Sequence, residues 1–237
     1  KFIKTQIGDD IVVLENNSNG YGAGNNVGVH YSSGEIIAIM NPDVRLKEPL
    51  FKKTLEHFKN KEVSSVGYSQ IGGFNFSYFL KPEFFFPVIS SLYLRFMNRF
   101  HWFVDRQFAL SGAFVFFRKE DFLTIGKYDE RMFMYFEEPD ISNRILKIGK
   151  KSVYDSTLQY IHLMDHKDPG NEKLIDFASD SLRIYCEKHN LNLKTIVNRR
   201  IAEYKFYNIV FGLLGKKERV KKNNMYIRSL NRLLQQQ

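Results

Sequence analysis

A chain of 237 residues is long enough for one sizeable domain with an appendage. Its apolar share of 43% and charged share of 26% fit a folded globular protein and exclude a disordered or collagen-like chain. The formal net charge of +9 is concentrated in one place: Lys194 to Gln237 carries eleven Lys and Arg against two Glu, so residues 1–193 are neutral.

A neutral body with a basic tail points to an anionic partner for the tail, nucleic acid or a phospholipid surface. The single Cys186 excludes an internal disulfide and reads as a buried structural thiol. No basic start precedes an apolar run, and Phe206 to Leu214 is too short to cross a bilayer, so neither secretion nor spanning is expected.

In chain order, the first sixteen residues read as a helix end, a turn at Asp9-Asp10 and a short strand, Ile11 to Leu14. A polar glycine-rich loop is expected from Asn16 to Asn26. Glu35 to Met40 (EIIAIM) is an apolar run of strand length that Asn41-Pro42-Asp43 ends, placing those polar residues at a strand's C-terminal edge. In open α/β sheets ligands collect at such edges.

Pro49 to Lys59 has helical spacing, and Ser64 to Gln70 reads as a strand. Phe74 to Phe103 then concentrates 12 of the 36 aromatic residues in 30 positions. That density suits a core-forming helix pair or a subunit contact, such as a dimer's, as well as an acceptor or membrane-facing surface. Ala109 to Arg118 reads as one buried strand in which Gly112 admits a close neighbour. Asp121 to Ile125 turns at Gly126, and Pro139 suits the first position of a helix running through Ile141, Ile145 and Ile148 to Gly149. Glu138, preceding that proline, is expected to be extended at the helix entrance, where the dipole favours its charge.

Short strands are expected at Ser152 to Tyr154 and Gln159 to His162, leading to a polar group of His162, Asp165 and His166. A helix is expected from Glu172 to His189, and two basic, apolar helices broken near Gly215 complete the chain. The division expected is a body, 1–193, and an amphipathic helical tail, 194–237.

Taken singly, the glycine-rich loop, the Asn41-Pro42-Asp43 corner and the Glu137-Glu138-Pro139-Asp140 corner are ordinary connection, turn and capping chemistry. Their order is more specific. GYGAGNNVG (Gly20 to Gly28), EIIAIMNPDV (Glu35 to Val44), LSGAFVFFRKEDFLTIGKYDERMFMYFEEPDISNR (Leu110 to Arg144) and His162 together resemble the family 2 glycosyltransferases, in particular their rhamnosyltransferase-like branch. The resemblance covers roughly residues 10 to 165.

It implies an α/β GT-A fold: a Rossmann-like, mostly parallel sheet with flanking helices, here lacking the opening βαβ unit, plus the C-terminal helical tail. The expectation is therefore a piece of a longer protein or a shortened relative. A nucleoside-diphosphate sugar would lie over the strand edges, with Gly20, Gly22, Gly24 and Asn26 beneath it and Asn41 and Asp43 at its diphosphate. Asp43 is the leading ligand for Mg²⁺ or Mn²⁺, with His162 approaching the metal or diphosphate. A hard cation takes carboxylate and phosphate oxygens and needs only one or two protein carboxylates.

Glu138 falls on the family's catalytic base, which would deprotonate a glycan or lipid-linked acceptor and give inversion. Gly112, Glu137, Asp140 and Arg144 complete the acceptor side. The basic tail suits an anionic membrane surface at the cytoplasmic face, because such helices lie in interfaces. A noncatalytic sugar-nucleotide-binding scaffold is the alternative. Nucleic acid is disfavoured as a partner, since the tail has no recognisable reading motif.

Overall fold

The computed structural model describes residues 11–17, 20–72, 76–163 and 172–235. The expected turn at Asp9-Asp10 and the polar residues Asp165 and His166 lie outside them. Residues 12–17 form no strand.

A five-stranded sheet, in the order β1-β6-β3-β7-β2, carries the body. Its strands are β1 (Ile36–Met40), β2 (Val44–Leu46), β3 (Val63–Ile71), β6 (Phe114–Arg118) and β7 (Lys151–His162). Only the β3–β7 pairing is parallel; β1–β6, β3–β6 and β2–β7 are antiparallel. The sheet is thus mixed where the sequence pointed to a mostly parallel one. A two-stranded ribbon, β4 (Tyr78–Leu80) with β5 (Phe108–Leu110), stands apart from it.

Alternation along β6 explains the layers. Val115 and Phe117 face one apolar cluster with Ile37, Ile39, Phe122, Ile141 and Ile145, whereas Phe114 and Phe116 face another with Leu50, Phe58, Val66, Tyr68 and Tyr160. Successive side chains of a strand point to opposite faces, so one apolar strand serves two cores. Helices α1 (Tyr21–Tyr31), α4 (Lys119–Thr124) and α5 (Glu137–Lys147) cover the first face, and α2 (Phe51–Phe58) the second.

Three expectations change. The run expected as one strand, Ala109 to Arg118, breaks at Ser111–Ala113 into β5 and β6, which belong to different sheets. Ser152 to Tyr154 and Gln159 to His162 join into the single strand β7, whose register against β3 shifts between Tyr68 and Ser69. The glycine-rich segment is helical from Tyr21 to Tyr31 rather than a loop. Gly20, at a φ of 118°, precedes that helix, and a Cβ there would collide with the Phe133 carbonyl. A Cβ on Gly22 would come within 2.8 Å of the Tyr128 Cβ. Small residues are needed here so that α1 can lie against the 128–133 segment.

Helix α3 (Ile89–Arg99) packs beside the ribbon. Beyond the sheet, α6 (Glu172–Lys188), α7 (Leu193–Leu213) and α8 (Lys217–Gln235) share one cluster containing Leu182, Tyr185, Cys186, Val197, Ile201, Leu230 and Leu233. Met132 from the body joins it, so the expected boundary at residue 193 falls within a common core. Burial pushes the Cys186 thiol up to about 12. Among the described residues no helix is long and apolar enough to cross a membrane.

Leu182, 1% exposed, lies at the centre of this helical layer. Leu182→Ala is expected to cost about 2–5 kcal/mol, lowering Tm by roughly 5–15 °C. Calorimetry should show the body melting earlier together with the helices. A body transition left at its original temperature would show the layer to be separate.

Candidate active site

The break at Ser111–Ala113 is held in place by a buried polar network. Ser111 Oγ donates to Gln70 Oε1 at 3.0 Å, the Tyr160 hydroxyl donates to the same oxygen at 2.7 Å, and Ser111 N donates to Ser77 O at 3.0 Å. Above this crossing opens a cavity of about 720 Å³, lined among others by Tyr21, Asn41, Gln70, Ser111, Gly112, Glu137, Glu138, His162, Arg200 and Glu203. Gln70, Tyr21, Arg200 and Glu203 were not among the expected site residues.

The Asn41-Pro42-Asp43 corner connects β1 to β2. Asn41 N donates to Ala113 O at 2.9 Å, tying the corner to the crossing, and Leu163 N donates to Asp43 O at 2.8 Å. Because Val44 pairs with His162 in the β2–β7 register, Asp43 is carried to that histidine. His162 Nε2 lies 3.1 Å from Asp43 Oδ1 and 3.5 Å from Asn41 Nδ2. The Asp43 side chain is 36% exposed and that of His162 6%. Two expected metal ligands thus stand together at a strand edge, with Asn41 beside them.

On the other side, α5 begins at Glu137, so Glu138 lies inside the first turn rather than extended before it. Pro139 is tolerated at the third position because the first-turn N–H groups have no intrahelical acceptor. Tyr135 and Phe136 enter the helix with φ of 73° and 68°, left-handed values that cost a non-glycine residue about 1–3 kcal/mol each. Gly112 makes the room: a Cβ there would stand 2.8 Å from Glu138 Oε1 and 3.2 Å from the Tyr21 hydroxyl. That hydroxyl donates to Gly112 O at 2.6 Å.

Glu137 is 2% exposed, and its Oε1 has no hydrogen-bond partner. Burial first, and then the charge of Glu138, push its carboxyl well above the usual carboxylate range. Asp140 is fully buried, yet its shift is downward. Burial opposes ionisation there, but His189 Nε2 at 2.9 Å, Arg144 Nε at 3.1 Å and Lys188 Nζ at 3.1 Å outweigh it. Asp140 and Arg144 therefore anchor the corner behind the cavity.

Gly20, Gly22 and Asn26 make their described contacts with the chain itself. Asn26 Nδ2 donates to Tyr128 O at 3.0 Å and to Glu130 Oε1 at 2.9 Å, while Tyr128 N donates to Asn26 Oδ1 at 3.1 Å. Gly24 N donates to Gly20 O at 3.2 Å in the first turn of α1. None of the four lines the cavity, whereas Tyr21 between them does.

A divalent cation can be tested against this donor set. Among the described residues no three His, Cys, Asp or Glu side chains converge on one metal-sized site. Asp43 and His162 provide one carboxylate and one imidazole, a set that suits Mg²⁺ or Mn²⁺ when substrate phosphates supply further oxygens. The residues fit such an ion with two protein ligands.

Comparisons with known proteins agree with this architecture. The family model "Glycosyl transferase family 2" matches residues 1–125. An N-acetylglucosaminyl-diphospho-decaprenol L-rhamnosyltransferase of Mycobacterium tuberculosis, found in two strains, is 37% identical over 65 residues. The match spans 26% of this chain and 21% of the length of those relatives. A mannosyltransferase from Pyrobaculum calidifontis, solved in complex with GDP-Man and Mn²⁺, superposes with a TM-score of 0.53 at 11% identity. It covers 94% of this chain and 67% of its own. At that identity the likeness shows the fold, GT-A.

The raised Glu137 carboxyl makes a pH prediction. The folded chain keeps a proton that the unfolded chain loses near pH 4.3, so from there upward this residue lowers stability as pH rises. Glu137→Gln removes that slope. Thermal melts between pH 4.5 and 8 should show the variant gaining on the wild type with increasing pH. A Tm difference that stays constant with pH would contradict the assignment.

Proposed function

Because the chain belongs to glycosyl transferase family 2, we propose that it moves a sugar from a nucleoside-diphosphate sugar to a hydroxyl of a glycan or lipid-linked acceptor, with inversion. The observation carrying this reading is a single cavity lined by both Glu138 and the Asn41–His162 edge to which Asp43 is paired. A base and a site for a charged leaving group must meet in one space for this reaction.

Glu138 is the proposed base. It takes the proton of the attacking hydroxyl as that oxygen bonds to the anomeric carbon, and the nucleoside diphosphate leaves from the opposite side with the electrons of the broken bond. Gly112 gives the carboxylate its position, and a Glu137 held neutral by burial limits the negative charge crowding the corner. Asp43 and His162 would hold Mg²⁺ or Mn²⁺, which when bound supplies positive charge against the departing diphosphate. Gly20, Gly22, Gly24 and Asn26 support the donor side indirectly, by seating α1 so that Tyr21 faces the cavity.

The mycobacterial relative is named for transfer of L-rhamnose to N-acetylglucosaminyl-diphospho-decaprenol. A saccharide carried on a lipid is accordingly the acceptor class we favour, in the synthesis of a cell-surface polysaccharide. Such an acceptor requires the enzyme at the membrane, here as a peripheral protein of the cytoplasmic face.

Helix α3 supports that placement. Ile89, Leu92 and Phe96 form an outward stripe, 65%, 65% and 47% exposed, with Arg95 and Arg99 beside it. Residues 84–104 contain no Asp or Glu. An apolar stripe bordered by cations and free of carboxylates suits an anionic interface. In α8, by contrast, Leu230 and Leu233 are buried in the helical layer.

Release of nucleoside diphosphate from a panel of sugar nucleotides, with Mg²⁺ or Mn²⁺ against a chelator, tests the reaction. Glu138→Gln should reduce turnover by roughly 10²–10⁴-fold while donor binding persists. Asp43→Ala should weaken donor binding in the presence of metal. A fully active Glu138→Gln enzyme would end the assignment of the base.

Flotation with vesicles tests the membrane contact. Recovery should be higher with phosphatidylglycerol vesicles than with phosphatidylcholine alone, and should fall when Leu92 and Phe96 are both replaced by Ser. Unchanged recovery of that double variant would remove α3 from the interface.

A further inference from the structure

One polar side chain of the cavity has no part in the chemistry above. Arg200 lies on α7, one turn before Glu203, and both line the cavity. The Glu203 carboxylate is already engaged, accepting from Ser91 Oγ at 2.9 Å and from Val88 N at 3.3 Å. It thereby holds a residue whose φ is 65°. Arg200 differs. Its guanidinium carbon sits 4.5 Å from the centre of the Phe85 ring and 5.9 Å from that of Phe136.

Aromatic faces hold a guanidinium in place without accepting its N–H groups in the way a carboxylate does. Among the described residues Arg200 makes no ion pair, and its Nε is shielded from solvent without a hydrogen bond. Cys186 and Tyr204 feel its charge, but burial keeps both protonated, so neither neutralises it. A buried donor left unsatisfied is costly, and a stacked, always-charged fork is suited to the oxygens of a phosphate. The cavity also carries an apolar wall from the ribbon and α3, including Phe79, Leu80 and Leu94.

We propose that Arg200, braced on Phe85, is an anion subsite for the acceptor. It binds the phosphate or diphosphate of an amphiphile whose hydrocarbon lies along Phe79, Leu80 and Leu94. The identity of the bound molecule as acceptor rests on the glycosyltransferase reading; the anion site itself does not. A donor's diphosphate offers the same chemistry, but the Asp43–His162 edge is the place proposed for it.

Calorimetric titration of the full chain separates the sources. The probes are farnesyl diphosphate, farnesol, UDP and GDP, applied to wild type, Arg200→Gln, Arg200→Lys and Arg199→Gln. Arg199 is the control, since it stacks on Phe86 at 4.6 Å, does not line the cavity, and meets Phe85 only at its backbone carbonyl, 3.4 Å away. Arg200→Gln should weaken farnesyl diphosphate by about tenfold or more and leave farnesol, UDP and GDP unchanged. Arg200→Lys should recover part of the loss, and Arg199→Gln should bind as wild type.

Equal farnesyl diphosphate affinity in wild type and Arg200→Gln, or no binding by wild type, overturns the proposal. So does a matching loss of farnesol, which would make Arg200 a brace for the apolar wall. Loss of UDP or GDP overturns it by assigning the arginine to the donor, and an equal loss in Arg199→Gln reduces it to diffuse attraction. Binding does not pass through Glu138. An error in the assigned base would therefore appear in turnover and leave these titrations unaffected.

Discussion

Asp140 is a charged side chain with no access to water, and an apolar interior accepts such a charge only when it is paired and hydrogen-bonded. Two cations and an imidazole meet it: Arg144 from its own helix, and Lys188 and His189 from the end of α6. Arg144 also donates to the Ile125 carbonyl after α4. One carboxylate thus binds the entrance of α5, the end of α6 and the connection leaving β6 and α4 into a single unit. The left-handed pair Tyr135–Phe136 and the solvent-shielded Glu137 persist beside it because their surroundings are held from several directions. Glu138 inherits its position from this arrangement.

The cavity is built asymmetrically. Toward the strand edges it is polar, with Asn41, His162, Gln70 and Ser111; toward the ribbon and α3 it is lined by Phe76, Phe79, Leu80 and Leu94. The crossing at Ser111–Ala113 separates the two, since β5 belongs to the ribbon and β6 to the main sheet. Such a division lets a polar and an apolar ligand group each be desolvated against a different surface.

Much of this was legible from residue pattern. The run Glu35–Met40 ended by Asn-Pro-Asp located β1 and its corner, and the apolar face from Glu172 onward located α6 almost to the residue. The break near Gly215 separated α7 from α8. Helix α1 was hidden because glycines lower helix propensity, and what favours helix there is tertiary: contact with Tyr128 and Phe133. The switch of sheets within Ala109–Arg118 left no trace, as every residue from 109 to 117 is buried whichever sheet it joins. Pairing of Asp43 with His162 follows from the β2–β7 register, which spacing along a chain does not encode. Arg200 was indistinguishable from its neighbours in a basic run; its place in the cavity wall and its buried Nε without a hydrogen bond set it apart.

The position of Cys186 has a practical consequence. It is the chain's sole thiol, and it lies in the cluster shared by α6, α7 and α8 with its proton held by burial. Thiolate is the reactive form, so alkylating reagents at neutral pH can reach this sulfur only when the helices part. The rate of its modification is therefore a built-in clock for breathing of the layer that carries Arg200, readable in the native sequence without any introduced label.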